Sequence, residues 1–226
     1  NIIYTRKGWY DTSKEKATLY NRSLIVGKNN EKLTGDTVFY DRNEGYGEAF
    51  GRMELTDSVH STILDGDYGY HNEKLSRSFA TKKARAREFS KDDTLYLHGD
   101  TIRTYLDEDS LRVMIASPKV RFYRVNLQGV CDSMVFEESD SILKMYKHPV
   151  LWSGERQIFG NEVHVHFNDS TVDYAELPNS AFAAEHLGEI YYNQISGRKM
   201  KAYFENQEMR KLEVDGNAVV LMLPME

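Results

Sequence analysis

The sequence predicts an all-β chain, a folded-over antiparallel meander built from about seven two-strand repeats, on three observations. A short phrase, Leu or Ile-x-Gly followed by a β-rich run, occurs six times along the 226 residues. Each copy leads into an alternating, aromatic-rich run that ends in a polar turn. No segment sustains the 3.6-residue apolar period of an amphipathic helix. Fifteen tyrosines against four prolines agree with strands.

The six phrases are Leu33-Thr34-Gly35, Leu64-Asp65-Gly66, Leu97-His98-Gly99, Leu127-Gln128-Gly129, Ile158-Phe159-Gly160 and Ile195-Ser196-Gly197, with glycine spacings of 31, 33, 30, 31 and 37 residues. The runs after them close on turns such as Tyr40-Asp41-Arg42-Asn43 and Phe167-Asn168-Asp169-Ser170, where Asn and Asp bond nearby backbone. A returning strand comes after each turn, for example residues 119–125. A period near 31 residues therefore holds two strands of about a dozen residues, each roughly 40 Å long at ~3.3 Å per residue. The chain then carries about thirteen or fourteen strands.

Parity adds a second inference. The residue two before each glycine is aliphatic, and apolar positions recur three, five or seven after it, as at Val38, Tyr40, Ile102, Val163, Val165, Phe167, Met200 and Phe204. Minus two and plus three differ by an odd number, so strict alternation sends them to opposite faces. One extra residue near the glycine restores a common face. This predicts a bulge or bend at each glycine, creasing the sheet so that it folds over on an apolar inside. The fourth copy departs, with Val130-Cys131-Asp132 after its glycine. Residues 175–186 lengthen the last spacing, either as a helical turn capped by Ser180 or as a loop at a sheet edge.

Composition excludes several classes of function. The net charge is −6 and no basic block stands out, which argues against nucleic acid as a partner. No apolar run approaches the ~20 residues of a membrane-spanning helix. One cysteine, Cys131, excludes an internal disulfide framework and reads as a small buried residue. His164 and His166 share a strand face, but alternation with Val163 and Val165 places them outside, and spacing offers no third metal ligand. Asp36, Asp67 and Asp100 read as turn or bulge residues rather than stacked calcium ligands. Glu137-Glu138 and Asp107-Glu108-Asp109 fall in turns, as solvated carboxylates do. No catalytic constellation, metal site or cofactor is expected.

Residues 195–204 and 214–218 look like OstA-like proteins of Bacteroidetes-type bacteria, and residues 33–41 are similar to the strand repeat of the wider LptA-like family. The resemblance covers essentially the whole chain, residues 1–226, as one domain, whole or part of a longer chain. It implies a β-jelly-roll, or β-taco, that carries lipopolysaccharide acyl chains through the periplasm after removal of a signal peptide. It also implies stacking on other domains of the family through terminal strands. The repeat positions then become candidate lipid contacts: Leu33, Val38, Tyr40, Leu64, Leu97, Ile102 and Leu127, with Ile158, Val163, Val165, Phe167, Ile195, Met200 and Phe204. Candidate edge-pairing residues are Ile3, Val219 and Leu221, in terminal runs that lack the charges that guard most sheet edges. The alternative class is a β-solenoid-like scaffold or adhesion module with a closed core.

Overall fold

A computed structural model describes residues 1–90, 93–168, 171–206 and 208–223, so Asp169 and Ser170 of one expected turn lie outside the described residues. The chain is all-β, with 22 strands in antiparallel pairing. It comprises two compact units, Asn1–Pro118 and Lys119–Glu226.

The first unit holds β1 (Ile2–Tyr4), β2 (Lys7–Asp11), β3 (Lys16–Val26), β4 (Lys32–Asp41), β5 (Tyr46–Asp57), β6 (Thr62–Asn72), β7 (Arg77–Phe89), β8 (Thr94–Leu106) and β9 (Arg112–Ser117). β1 and β2 both pair with β3, and each later strand pairs with the next as a meander. The turns repeat one device. Asp11, Asp41, Asp57 and Asn72 each accept a hydrogen bond from a backbone N–H two or three residues on, at 2.9–3.1 Å. Four residues after each of them, Glu15, Gly45, Ser61 and Ser76 take positive φ and turn the chain back.

The crease is a two-against-one bulge. Asn21 and Arg22 of β3 oppose the single residue Asp36, because Tyr20 pairs with Thr37 and Ser23 with Gly35. Gly51 and Arg52 of β5 oppose Asp67 in the same way, and Lys82 and Lys83 of β7 oppose Asp100. The extra residue gives paired strands different parity across the crease. Leu19 and Ile25 lie an even distance apart on the bulged β3, while their partners Val38 and Leu33 lie an odd distance apart on β4, and all four are buried. Leu97 and Ile102 of β8 repeat the odd spacing and are also buried.

The left-handed backbone lies on the returning strands and not on the repeat glycines. Asn21, Arg22, Gly51, Arg52, Lys82 and Lys83 have φ of 64°, 58°, 69°, 48°, 58° and 66°. The repeat glycines serve close approach instead. A Cβ on Gly66 would stand 2.7 Å from the Thr81 carbonyl oxygen, and one on Gly35 would stand 2.9 Å from the Ala49 Cβ.

In the second unit the crease interrupts the strands, which is why 22 segments replace the thirteen or fourteen long strands expected. These are β10 (Val120–Arg124), β11 (Leu127–Cys131), β12 (Ser133–Glu137), β13 (Ile142–Tyr146), β14 (Val150–Ser153), β15 (Arg156–Phe159) and β16 (Glu162–Asn168). They continue as β17 (Thr171–Leu177), β18 (Ala181–Gly188), β19 (Tyr191–Gly197), β20 (Lys199–Glu205), β21 (Glu208–Asp215) and β22 (Val219–Leu221). Two ladders result: β10-β11-β14-β15-β18-β19-β22 and β12-β13-β16-β17-β20-β21.

Three further expectations differ from the structure. Gly129 lies inside β11, opposite Phe122 and Leu151, so the crease of the fourth copy falls at Asp132. Residues 175–186 form neither a helical turn nor an edge loop. They hold the end of β17, a crease at residues 178–180 and most of β18, each strand paired on both sides. The terminal run that holds Val219 and Leu221 forms only the three residues of β22, because Gly216 and Asn217 form the crease with φ of 78° and 54°.

The glycine geometry separates two substitutions. Gly66→Ala drives a methyl into backbone and is expected to cost about 1–3 kcal/mol. Gly99→Ala, whose nearest neighbour would be the Thr101 carbonyl oxygen at 3.3 Å, is expected to stay within about 1 kcal/mol of the parent. Urea melts of the two variants check the order.

Candidate functional site

Folding over brings two apolar faces together within each unit. In the first unit one face carries Leu19, Val38, Ala49, Gly69, Ala80, Ile102 and Ala116, linked strand to strand by the register. The other carries Ile25, Leu33, Leu55, Leu64, Ala86 and Leu97. Small residues dominate the first row and leucines the second, so the two interdigitate. The halves touch: a Cβ on Gly47 would lie 2.6 Å from the Leu33 Cδ2. Beside that contact, the void lined by Ile25, Leu33, Tyr40 and Leu55 measures about 10 Å³, room for about one water.

Eleven of the fourteen expected lipid-contact residues are buried in these interiors: Leu33, Val38, Tyr40, Leu64, Leu97 and Ile102 in the first unit, then Leu127, Ile158, Val163, Val165 and Met200 in the second. Phe167, Ile195 and Phe204 are half-buried. Phe167 meets Phe136 edge-on with ring centroids 6.4 Å apart.

Polar groups join the free lips of the first unit, a feature with no signal in the sequence because its partners lie far apart. Glu31 comes from one half and His71 from the other, with carboxylate and imidazole 3.6 Å apart. His71 Nδ1 also meets the Ser78 hydroxyl at 3.0 Å. Asn1 donates to both Tyr40 and Glu73 across the same gap. Farther along, Glu88 of one half pairs with Arg112 of the other at 3.6 Å. A slot of about 70 Å³ lies there, lined by Leu64, Leu97 and Met114 with Arg87 and Arg112.

The second unit has an opening. A pocket of about 270 Å³ is lined by Ala183, Ala184, Ile195, Met209, Leu212, Val220 and Met222, with Arg156, Glu185, Asn193 and Gln194 as its polar members. Arg156 and Glu185 pair at 2.7 Å, and Arg156 also donates to the Met209 carbonyl, which ties one ladder to the other. Of the lipid contacts expected from sequence, Ile195 alone lines this pocket. Met209 and Leu212 were missed because they sit beside Arg210 and Lys211, in a strand that reads as solvated.

Outside, side chains form cross-strand rows. Lys144, His164, Glu176, Lys201 and Glu213 lie side by side, so positive and negative groups mingle along the row. His164 and His166 each meet a carboxylate, Glu162 at 3.2 Å and Glu176 at 3.5 Å. His166 also stacks on Tyr174 with ring centroids 4.1 Å apart, and Lys201 Nζ sits 3.5 Å over that tyrosine. Among the described residues no group of three His, Cys, Asp or Glu is placed to hold a metal. Burial pushes the Cys131 thiol up to about 12, which leaves it protonated at neutral pH and a poor nucleophile.

The terminal strands are exposed. β22 pairs with β19 alone among the described residues, and Val219, Val220 and Leu221 are each more than half exposed, at 65%, 52% and 52%. The last strand of the other ladder, β21, carries Arg210, Lys211, Glu213 and Asp215 instead. At the start of the chain Ile2, Tyr4, Trp9 and Tyr10 are exposed, while Ile3 is half-buried. No helix among the described residues is long and apolar enough to cross a membrane.

No family model and no curated protein matches the chain.

The face assignment has a direct consequence. Val165→Asp buries an unpaired carboxylate and is expected to cost several kcal/mol, roughly 3 or more. His164→Gln, on the outer row, is expected to cost less than about 1 kcal/mol. Thermal unfolding of both variants checks the difference, and equal losses would contradict the assignment.

Proposed function

We propose that this chain is a non-catalytic, lipid-shielding module of lipopolysaccharide transport. It holds acyl chains between its sheet halves and joins neighbouring domains of its own kind through sheet edges. The periplasm is its place of action on this reading. The observation that carries the proposal is the apolar mouth at Ile195, Met209, Leu212 and Met222, which lies against the uncharged edge strand β22. An acyl chain entering there would bury its methylenes at about 0.8 kcal/mol each. Its head group would remain at the polar rim of Arg156, Glu185 and Asn193. The side of β22 away from β19 has no partner strand among the described residues and offers a template for one, which would extend the apolar interior into the next domain.

A second reading, a scaffold or adhesion module with a closed core, is favoured by the first unit, where Leu33 packs on Gly47 and leaves no channel beside that contact.

Titration with a fluorescent fatty-acyl probe, then competition with detergent-solubilised lipopolysaccharide, separates the two. The lipid reading expects saturable, competable binding that Leu212→Asp weakens about tenfold or more. No saturable binding would favour the scaffold. For the edge, Val220→Pro removes a backbone donor and is expected to reduce self-association of the intact chain in sedimentation across a concentration series. A parent chain that is monomeric throughout would contradict bridging.

A further inference from the structure

The crease of the first unit carries a pocket of about 440 Å³ on its polar side, lined by cations from three successive bulges: Arg22, Arg52 and Lys82 with Lys83. All four have left-handed backbone, with φ between 48° and 66°, where glycine or asparagine is the easier residue. Arg85, Glu54, Asp65, Asp67 and His98 complete the polar lining.

The charges are unevenly matched. Asp65 is paired with Arg85 at 3.1 Å and Arg87 at 3.0 Å, and Glu54 with Arg87 at 3.5 Å. Arg52 holds Asp36 through two hydrogen bonds, of 3.1 and 2.6 Å. Arg22 donates to the Arg52 carbonyl. Among the described residues Arg22, Lys82 and Lys83 have no carboxylate within 4.0 Å, and the one unpaired acid of the lining is Asp67. Two lysines without a partner among the described residues, and an arginine bonded only to a backbone carbonyl, face one unpaired carboxylate, which favours an anion.

We propose that this pocket binds a phosphorylated saccharide. Lys82, Lys83 and Arg22 receive the phosphate, whose oxygens accept charge-assisted hydrogen bonds. Asp67 and His98 suit sugar hydroxyls, which can donate to a carboxylate and accept from an imidazole. A bare polyphosphate would bring its charge against Asp67 and Glu54 with no hydroxyl to offer them. The site lies at the crease and does not require an acyl chain between the sheet halves, so it stands or falls apart from the lipid reading.

Calorimetric titration of the intact chain with glucose 6-phosphate, glucose and pyrophosphate tests this. Glucose 6-phosphate is expected to bind saturably and to weaken as salt is raised. It should bind more tightly than pyrophosphate, and glucose should not bind. Lys82→Asn with Lys83→Asn keeps residues that tolerate left-handed backbone and removes both charges, so affinity should fall about tenfold or more. Lys28→Asn, at an exposed turn outside the pocket, should leave it unchanged. On the unaltered chain, the sugar phosphate should also shift the imidazole proton resonances of His98. Absent saturable binding, or binding indifferent to the double substitution with His98 unshifted, would overturn the site. Pyrophosphate binding more tightly than glucose 6-phosphate would overturn the saccharide assignment.

Discussion

Side chains on a strand alternate between faces, so a sheet can fold over onto one apolar face only if neighbouring strands turn along a single line and leave it with the same face inward. The rest of this structure depends on that constraint. In the first unit it is met by three bulges of identical form, each setting two left-handed residues against one aspartate. In the second unit the strands part at the line, and Ser180, Gly216 and Asn217 supply left-handed backbone there. The fold is thus fixed at its crease, and the apolar rows on either side depend on it.

One bend has three consequences. Facing rows come within van der Waals contact, which requires small residues such as Ala49, Ala80 and Gly47 opposite the leucines. The bulged residues have no partner in the ladder, so their side chains are free to be polar, and four of the six at the crease of the first unit, Arg22, Arg52, Lys82 and Lys83, are cationic. On the open side of the first unit the halves share no strand pairing among the described residues, and they are held by long-range polar contacts such as Glu31 with His71 and Glu88 with Arg112.

Much of this was legible in the sequence. The odd separation of Leu33 from Val38, and of Leu97 from Ile102, encodes the corner, and both pairs are buried. The extra residue sits on the strand opposite, however, where no glycine phrase marks it. Alternation placed His164 and His166 outside, where they meet Glu162 and Glu176. Other features left no readable trace. Lys82-Lys83 within a strand looks like a solvated pair, because charge gives no hint of φ. Gly129 matched the repeat phrase by spacing, yet it is a site of close approach to Phe122 within β11, and Asp132 holds the crease position. The mouth residues Met209 and Leu212 stand among charges because they lie on a strand whose outer side faces water. Lip contacts join residues 40 and 24 positions apart, a distance at which a single sequence carries no pairing information.

The crease is tested most directly by a nuclear Overhauser measurement on the intact chain with labelled leucine methyl groups. Leu33 and Gly47 lie on opposite halves of the first unit and are not register partners, since Leu33 pairs with Leu55 and Gly47 with Tyr40. The folded-over sheet brings the Leu33 Cδ2 against the Gly47 backbone, so a strong effect between the Leu33 methyl and the Gly47 α-protons is expected. Its absence, with the register contacts of β4 and β5 intact, would mean that the sheet lies open, and the shielded interior would go with it.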